Sequence, residues 1–228
     1  MTTNLLHRHT PTLRVDGKGV AWITFDDPGS TVNVLSEQVL TRFAEHLAEV
    51  RSLAPRGKVR VVVIWSGKSG FVVGADVTAI EAIEDPEEGA EGSRFGQRIF
   101  SSLNDIGVPT VAAIHGICLG GGLEMSLACS HRIASDSPTT KFGLPEVLLG
   151  ILPAWGGTTR IPRLVGVEAA LDLMLSGRQV SSSAARRMGL VDEVLPSDLF
   201  REKVVAFAAS IVSDPSKQPK RRPLLKRL

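Results

Sequence analysis

The chemistry open to this sequence is concentrated in two glutamates and the glycine-bearing segments around them. Gly70-Phe71-Val72-Val73-Gly74-Ala75-Asp76 follows an apolar run. Ile114-His115-Gly116-Ile117-Cys118-Leu119 leads through Gly120-Gly121-Gly122 to Leu123-Glu124. Phe142-Gly143-Leu144-Pro145-Glu146-Val147 is followed by Gly150 and by Pro153-Ala154-Trp155-Gly156-Gly157-Thr158. Glycine lets a backbone come close to a ligand, and a helix start presents unused N–H groups and positive potential. Two such loops facing each other can hold one carbonyl oxygen between two N–H donors. Glu124 falls in the opening turns of the glycine-led helix, and Glu146 follows a proline in a turn. Two carboxylates beside a polarised carbonyl suit general acid–base work on the adjacent carbons. Each feature taken alone also has a plain structural reading: close packing for the glycines, dipole complement for Glu124, a cap or surface charge for Glu146.

Other motifs fail on spacing. Gly67-Lys68-Ser69 ends like a P-loop, but Val62 stands where the first glycine is needed and no helix is signalled directly after Ser69. Gly120, Gly122 and Met125 miss the third glycine of a dinucleotide fingerprint. His7, His9, His46, His115 and His131 show no zinc spacing, so no metal site is expected. Ser126, His131 and Asp136 make a triad only on paper.

The elements that must position these residues follow from periodicity. Val20 to Phe25 reads as a strand ending in the turn Asp26-Asp27-Pro28-Gly29. Ser36 reads as an N-cap, with Val39, Leu40, Phe43, Leu47 and Val50 at helical spacing to about Ser52. Val59 to Trp65 and Val108 to Ile114 are continuous apolar runs, the mark of buried strands. Residues 81–92 carry six acids and two glycines and read as a solvated loop, with a helix from Ser93 to Ile106. Helices are expected at 120–129, 156–165, 167–176, 182–188 and 199–212, and a strand at 132–134. This alternation predicts an α/β fold with parallel strands and right-handed crossovers.

A chain of 228 residues suits one domain. We expect it over residues 1–213, followed by a basic tail or linker, 214–228. The last twelve residues hold six Lys or Arg and no acid, leaving 20 bases against 24 acids elsewhere. A body of about −4 gives little support for nucleic-acid binding. Cys118 and Cys129 lie in apolar surroundings and read as buried free thiols of a reducing compartment. Met1 to Thr12 lacks the apolar core of a signal peptide, and no run reaches 18 apolar residues, so neither secretion nor a membrane span is expected and the cytoplasm is.

Taken in order, Gly74-Ala75-Asp76, Leu119-Gly120-Gly121-Gly122-Leu123-Glu124, Leu144-Pro145-Glu146 and Gly156-Gly157-Thr158 resemble the crotonase, or enoyl-CoA hydratase/isomerase, family. The likeness runs from about Leu13 to about Leu195. With Val147 and Arg160-Ile161-Pro162-Arg163 it is most similar to the hydratase domain of multifunctional fatty-acid oxidation α-subunits. The resemblance implies a spiral of ββα units with C-terminal helices, here cut short relative to the family, and a trimer-based homo-oligomer or a place in a multifunctional complex. It implies hydration of trans-2-enoyl-CoA in β-oxidation, with coenzyme A as part of the substrate and no separate cofactor. Ala75 and Gly121 would bind the thioester oxygen through their N–H groups. Glu124 would activate the water and Glu146 serve the α-carbon. Phe71, Val73, Gly74, Gly120, Pro145 and Trp155 would contact substrate, with Trp155 bulkier than its usual counterpart. Asp76 would fix its loop and His115 would be structural. Two alternatives stay open: Δ3–Δ2 enoyl-CoA isomerisation, where one glutamate can suffice, and a non-catalytic or truncated crotonase-fold binding module.

Overall fold

The computed structural model describes residues 11–214. It opens with β1 (Thr12–Val15), β2 (Val20–Phe25), α1 (Glu37–Leu53), β3 (Val61–Ser66), α2 (Val77–Glu81) and α3 (Pro86–Asn104). Then follow β4 (Thr110–Ile114), β5 (Ile117–Leu119), α4 (Gly121–Ala128), β6 (His131–Ser135) and β7 (Lys141–Gly143). A 3-10 turn over Pro145–Leu149 leads to α5 (Gly157–Val165), α6 (Val167–Ser176), β8 (Val180–Ser181), α7 (Ser182–Met188), β9 (Glu193–Leu195) and α8 (Phe200–Ser213).

The strands form two sheets. The larger has the order β1-β2-β3-β4-β6-β9, parallel except for the edge pair β1-β2. The smaller has the order β5-β7-β8. The chain places one strand in each sheet and then a helix: β4, β5, α4; then β6, β7, the 3-10 turn and α5. This is the ββα spiral expected from the sequence.

The apolar runs of β3 and β4 are buried on both faces, as continuous hydrophobic strands require. Val62, Ile64, Ala112 and Ile114 join the main core, while Val61, Val63, Val111 and Ala113 face the other way, where α8 covers them with Phe200, Val204, Ala208 and Ile211. Helix α1 begins as its sequence dictates: the Ser36 side chain accepts the Val39 N–H, and Val39, Leu40, Phe43, Leu47 and Val50 are buried.

The acidic stretch corrects one expectation. Residues 86–92 are not a loop but the first turns of α3. The Asp85 side chain accepts the Glu87 N–H, Pro86 occupies a first-turn position, and Glu87 and Glu88 complement the helix dipole. The tail expected from residue 214 lies, beyond Asp214 itself, outside the described residues, as does most of the N-terminal segment read for a signal.

Candidate active site

The first wall is the segment from Gly70 to Ala75, laid beside β5 as an irregular extension of the small sheet. Phe71 N–H donates to Ile117 O, Leu119 N–H to Val72 O, and Val73 N–H to Asn33 O, at 2.9, 3.1 and 3.0 Å. Asn33 is nearly fully buried; its Nδ2 donates to Phe25 O, Ser66 Oγ and Phe71 O at 3.1, 2.8 and 3.0 Å. Leu35 N–H donates to Gly74 O at 2.9 Å and pairs with Ala75 in parallel register. That register turns the Ala75 N–H away from Leu35. Asp76 then caps α2, its carboxylate accepting the Thr78 and Ala79 N–H groups.

The second wall is the start of α4. Gly120 sits at φ 51°, a conformation that glycine adopts without steric cost. A Cβ at Gly122 would collide with the Val72 carbonyl. Gly121, the first helical residue, has an N–H with no intrahelical acceptor. A Cβ at Gly74 would lie 3.6 Å from Gly121 N, so the two glycine loops meet backbone to backbone. Every residue of α4 is buried, which carries Glu124 inside at 2% exposure.

Glu146 enters from the 3-10 turn that Pro145 starts and Gly150 ends at φ 73°. One cleft of about 610 Å³ is lined by Val73, Gly74, Ala75, Gly120, Gly121, Glu124, Pro145, Glu146 and Trp155, together with apolar side chains that include Ile80, Ile83, Leu149 and Leu152. Phe71 is the candidate that the fold keeps out. Its ring is fully buried in the main core, and its N–H and C=O are both engaged, by Ile117 and Asn33. His115 also lies apart, its Nε2 2.8 Å from Lys68 O and its ring 4.7 Å from that of Trp65.

The electrostatics single out the two carboxyls. Burial pushes Glu124 up to about 8; the Gly157 N–H pulls it down, the charge of Glu146 adds to the rise, and the Trp155 backbone and Arg160 oppose it. Burial pushes Glu146 up to about 7. Glu124 Oε1 accepts the Gly157 N–H at 2.7 Å. Glu146 Oε2 is buried and has no hydrogen-bond partner among the described residues. Each carboxyl therefore exchanges its proton near neutral pH, the range general acid–base catalysis needs.

Residues 16–221 match the model of the enoyl-CoA hydratase/isomerase family. The chain belongs to that family. Among its relatives, a fatty acid oxidation complex subunit alpha of Shewanella amazonensis is 42% identical over 211 residues, covering 92% of this chain and 29% of that protein. Its counterpart in Shewanella loihica is 44% identical over 203 residues, covering 89% and 28%. This member of the family thus spans less than a third of the length of those relatives. Among solved structures, an enoyl-CoA hydratase from Bacillus anthracis superimposes with a TM-score of 0.80 at 34% identity, covering 89% of this chain and 77% of that one. Pseudomonas aeruginosa DspI does so with 0.81 at 28% identity, covering 94% and 84%. Among the described residues no helix is long and apolar enough to cross a membrane, and no cluster of metal-ligating side chains occurs.

In this family member, three groups around the cleft escaped sequence reasoning. Asn33, beyond the turn after β2, looks like any turn asparagine until its three acceptors are seen. The Gly157 N–H carries no side-chain signal. Arg160 follows closely on Gly156-Gly157-Thr158, but nothing in its spacing tells that its guanidinium folds back on the Trp155 carbonyl.

Proposed function

We propose that the chain hydrates trans-2-enoyl-CoA thioesters to 3-hydroxyacyl-CoA, the water-adding step of fatty-acid β-oxidation. The observation that carries this reading is the pair of buried glutamates, both with raised proton affinity, facing one cleft where the Gly74–Ala75 and Gly120–Gly121 backbones meet.

In this reading the thioester oxygen accepts the Ala75 and Gly121 N–H groups. Negative charge gathers on that oxygen as a nucleophile adds at the β-carbon, so donors aimed there favour the transition state over the ground state. Glu124 acts as the carboxylate, its ionised form supported by the Gly157 N–H. It takes a proton from water as the water oxygen bonds to the β-carbon. Glu146 acts as the acid: its Oε2 is buried without a donor beside it, which favours the protonated form. Because the pair is coupled, this hydrogen bonding assigns the roles, against the order of about 8 for Glu124 and about 7 for Glu146. Its proton goes to the α-carbon, completing the addition of H and OH. Glu124 is left protonated and Glu146 ionised, and proton exchange within the pair or with solvent restores the start. The two carboxyls titrate as a coupled pair.

Val73, Gly74, Gly120 and Pro145 would guide the thioester end of the substrate, and the apolar side chains between α2 and the 145–152 segment would receive the acyl chain. Trp155 would limit its length. The relatives named as fatty acid oxidation complex subunits support work within such a complex, and the family resemblance supports a trimer-based homo-oligomer. The two buried free thiols favour a reducing compartment such as the cytoplasm. The test is a crotonyl-CoA hydration assay on the purified chain, run beside a 3-enoyl-CoA isomerisation assay. Loss of the conjugated enoyl absorbance with formation of the 3-hydroxy product supports hydration. Isomerisation alone would favour the isomerase.

A further inference from the structure

Arg160 makes contacts that a surface helix residue does not need. It lies on α5, half-buried, with its side chain turned back toward the helix start. Nη1 donates to Trp155 O at 3.0 Å and Nη2 to Ser101 Oγ on α3 at 3.2 Å. Its backbone N–H donates to Gly156 O at 2.9 Å. The guanidinium lies so close over Gly156 that any Cβ there would collide with it, and Gly156 itself sits at φ 111°. The fork therefore fixes the turn from Trp155 to Gly157 from two sides. The last residue of that turn gives its N–H to Glu124 Oε1 at 2.7 Å.

We propose that Arg160 is a positioning residue for Glu124: it clamps the Trp155–Gly157 turn to α3 and holds its charge beside the carboxylate that the turn supports. This rests on the hydratase reading given above. A planar guanidinium with several donors in fixed directions can hold two acceptors at once, which a lysine ammonium on a flexible stem does less well. Two charges bear on Glu124: Glu146 from the Pro145–Leu149 turn, and Arg160 from α5. Arg163, further along α5, acts on Arg160. The Cys129 thiol beyond the end of α4 also acts on Arg160, but burial pushes it up to about 12, so it stays neutral. From α3 the clamp receives the Ser101 hydroxyl. Arg160 is thus the positive charge that favours ionised Glu124, opposing both burial and Glu146.

The test compares kcat and kcat/KM against pH for the parent, Arg160→Gln, Arg160→Lys and Ser101→Ala. Arg160→Gln removes the charge, so the acid limb of kcat/KM should move up by roughly 0.5–1 pH unit. Arg160→Lys keeps the charge and loses the fork, so kcat should fall about tenfold with the acid limb in place. Ser101→Ala removes one of two hydrogen bonds and should lower kcat less than Arg160→Lys does, again with the limb unmoved. Equal kcat losses in the Gln and Lys variants with no movement of the limb would show a merely structural arginine and overturn the proposal. If Arg160→Gln does not fold, Arg160→Lys decides: parental kcat, or a displaced limb, overturns it. Titration of the Glu124 carboxyl by ¹³C NMR reads the same shift without substrate. A parent that hydrates nothing while its Glu124 titration moves in Arg160→Gln defeats the hydratase reading alone; an active parent with an unmoved titration defeats this inference alone.

Discussion

The indole of Trp155 lies against Gly121, so that a Cβ at position 121 would fall 2.5 Å from Trp155 Cζ3. The same ring leaves no room for a Cβ at Gly96 on α3, donates Nε1–H to Gly92 O at 3.2 Å and meets Phe100 edge-on at 5.7 Å. One large side chain therefore occupies space that two glycines vacate, next to the backbone proposed to hold the thioester oxygen.

This contact makes Gly121→Ala a steric test. The backbone there is ordinary helix, so the penalty is the collision, and overpacking of this kind costs about 1–3 kcal/mol. Thermal unfolding of Gly121→Ala should drop accordingly. Adding Trp155→Leu to the same chain should recover part of the loss, because contacting residues are non-additive. A double variant that loses the sum of the two single losses contradicts the packing described.

Trp155 also borders the cleft, whose apolar lining includes Ile80, Ile83, Leu149 and Leu152. Trp155→Ala should shift hydration toward longer enoyl-CoAs. The measurement is kcat/KM across a series of acyl lengths, with folding checked by circular dichroism. An unchanged length profile in a folded variant removes Trp155 from the acyl site.

The raised carboxyls set a stability dependence with a definite sign. An ordinary glutamate releases its proton near 4.5, whereas burial holds that of Glu124 to about 8. Between those values the folded chain binds more protons than the unfolded one, so this stabilisation is complete below about 4.5 and is lost as pH rises through about 8. Glu124→Gln removes the effect. It should exceed the parent in stability by roughly 1–4 kcal/mol at alkaline pH, and the gap should close toward acid pH. Urea unfolding at several pH values checks this; a gap independent of pH contradicts it.

How far the sequence told the site depends on which atoms do the work. Ser36 and the spacing from Val39 to Val50 predicted α1 because capping and helical periodicity are local. The apolar runs at β3 and β4 predicted buried strands because both faces of each strand must be covered. Glu124 and Glu146 were legible because side-chain type and neighbouring glycines signal chemistry, and the fold brings them to one cleft. Residues 86–92 misled because acids and glycines suggest solvation, while Asp85, Pro86 and the glutamates in fact start a helix whose glycines face the cleft. Phe71 misled because Val73, Gly74 and Ala75 of the same motif line the cleft, whereas Phe71 and Val72 are both fully buried in the main core. Asn33, the Gly157 N–H and the Arg160 fork stayed hidden because each has a partner 33 to 59 residues away.

The most direct measurement is crotonyl-CoA hydration by the parent chain, Glu124→Gln, Glu146→Gln and the double variant. Each substitution keeps the side-chain size and removes the ionisable group, so each single variant should lose roughly 10²–10⁴ in kcat. The double variant should lose little more than the worse single one, because both groups act on one addition. An active parent matched by a fully active Glu146→Gln, or by a fully active Glu124→Gln, would contradict the two-carboxyl account.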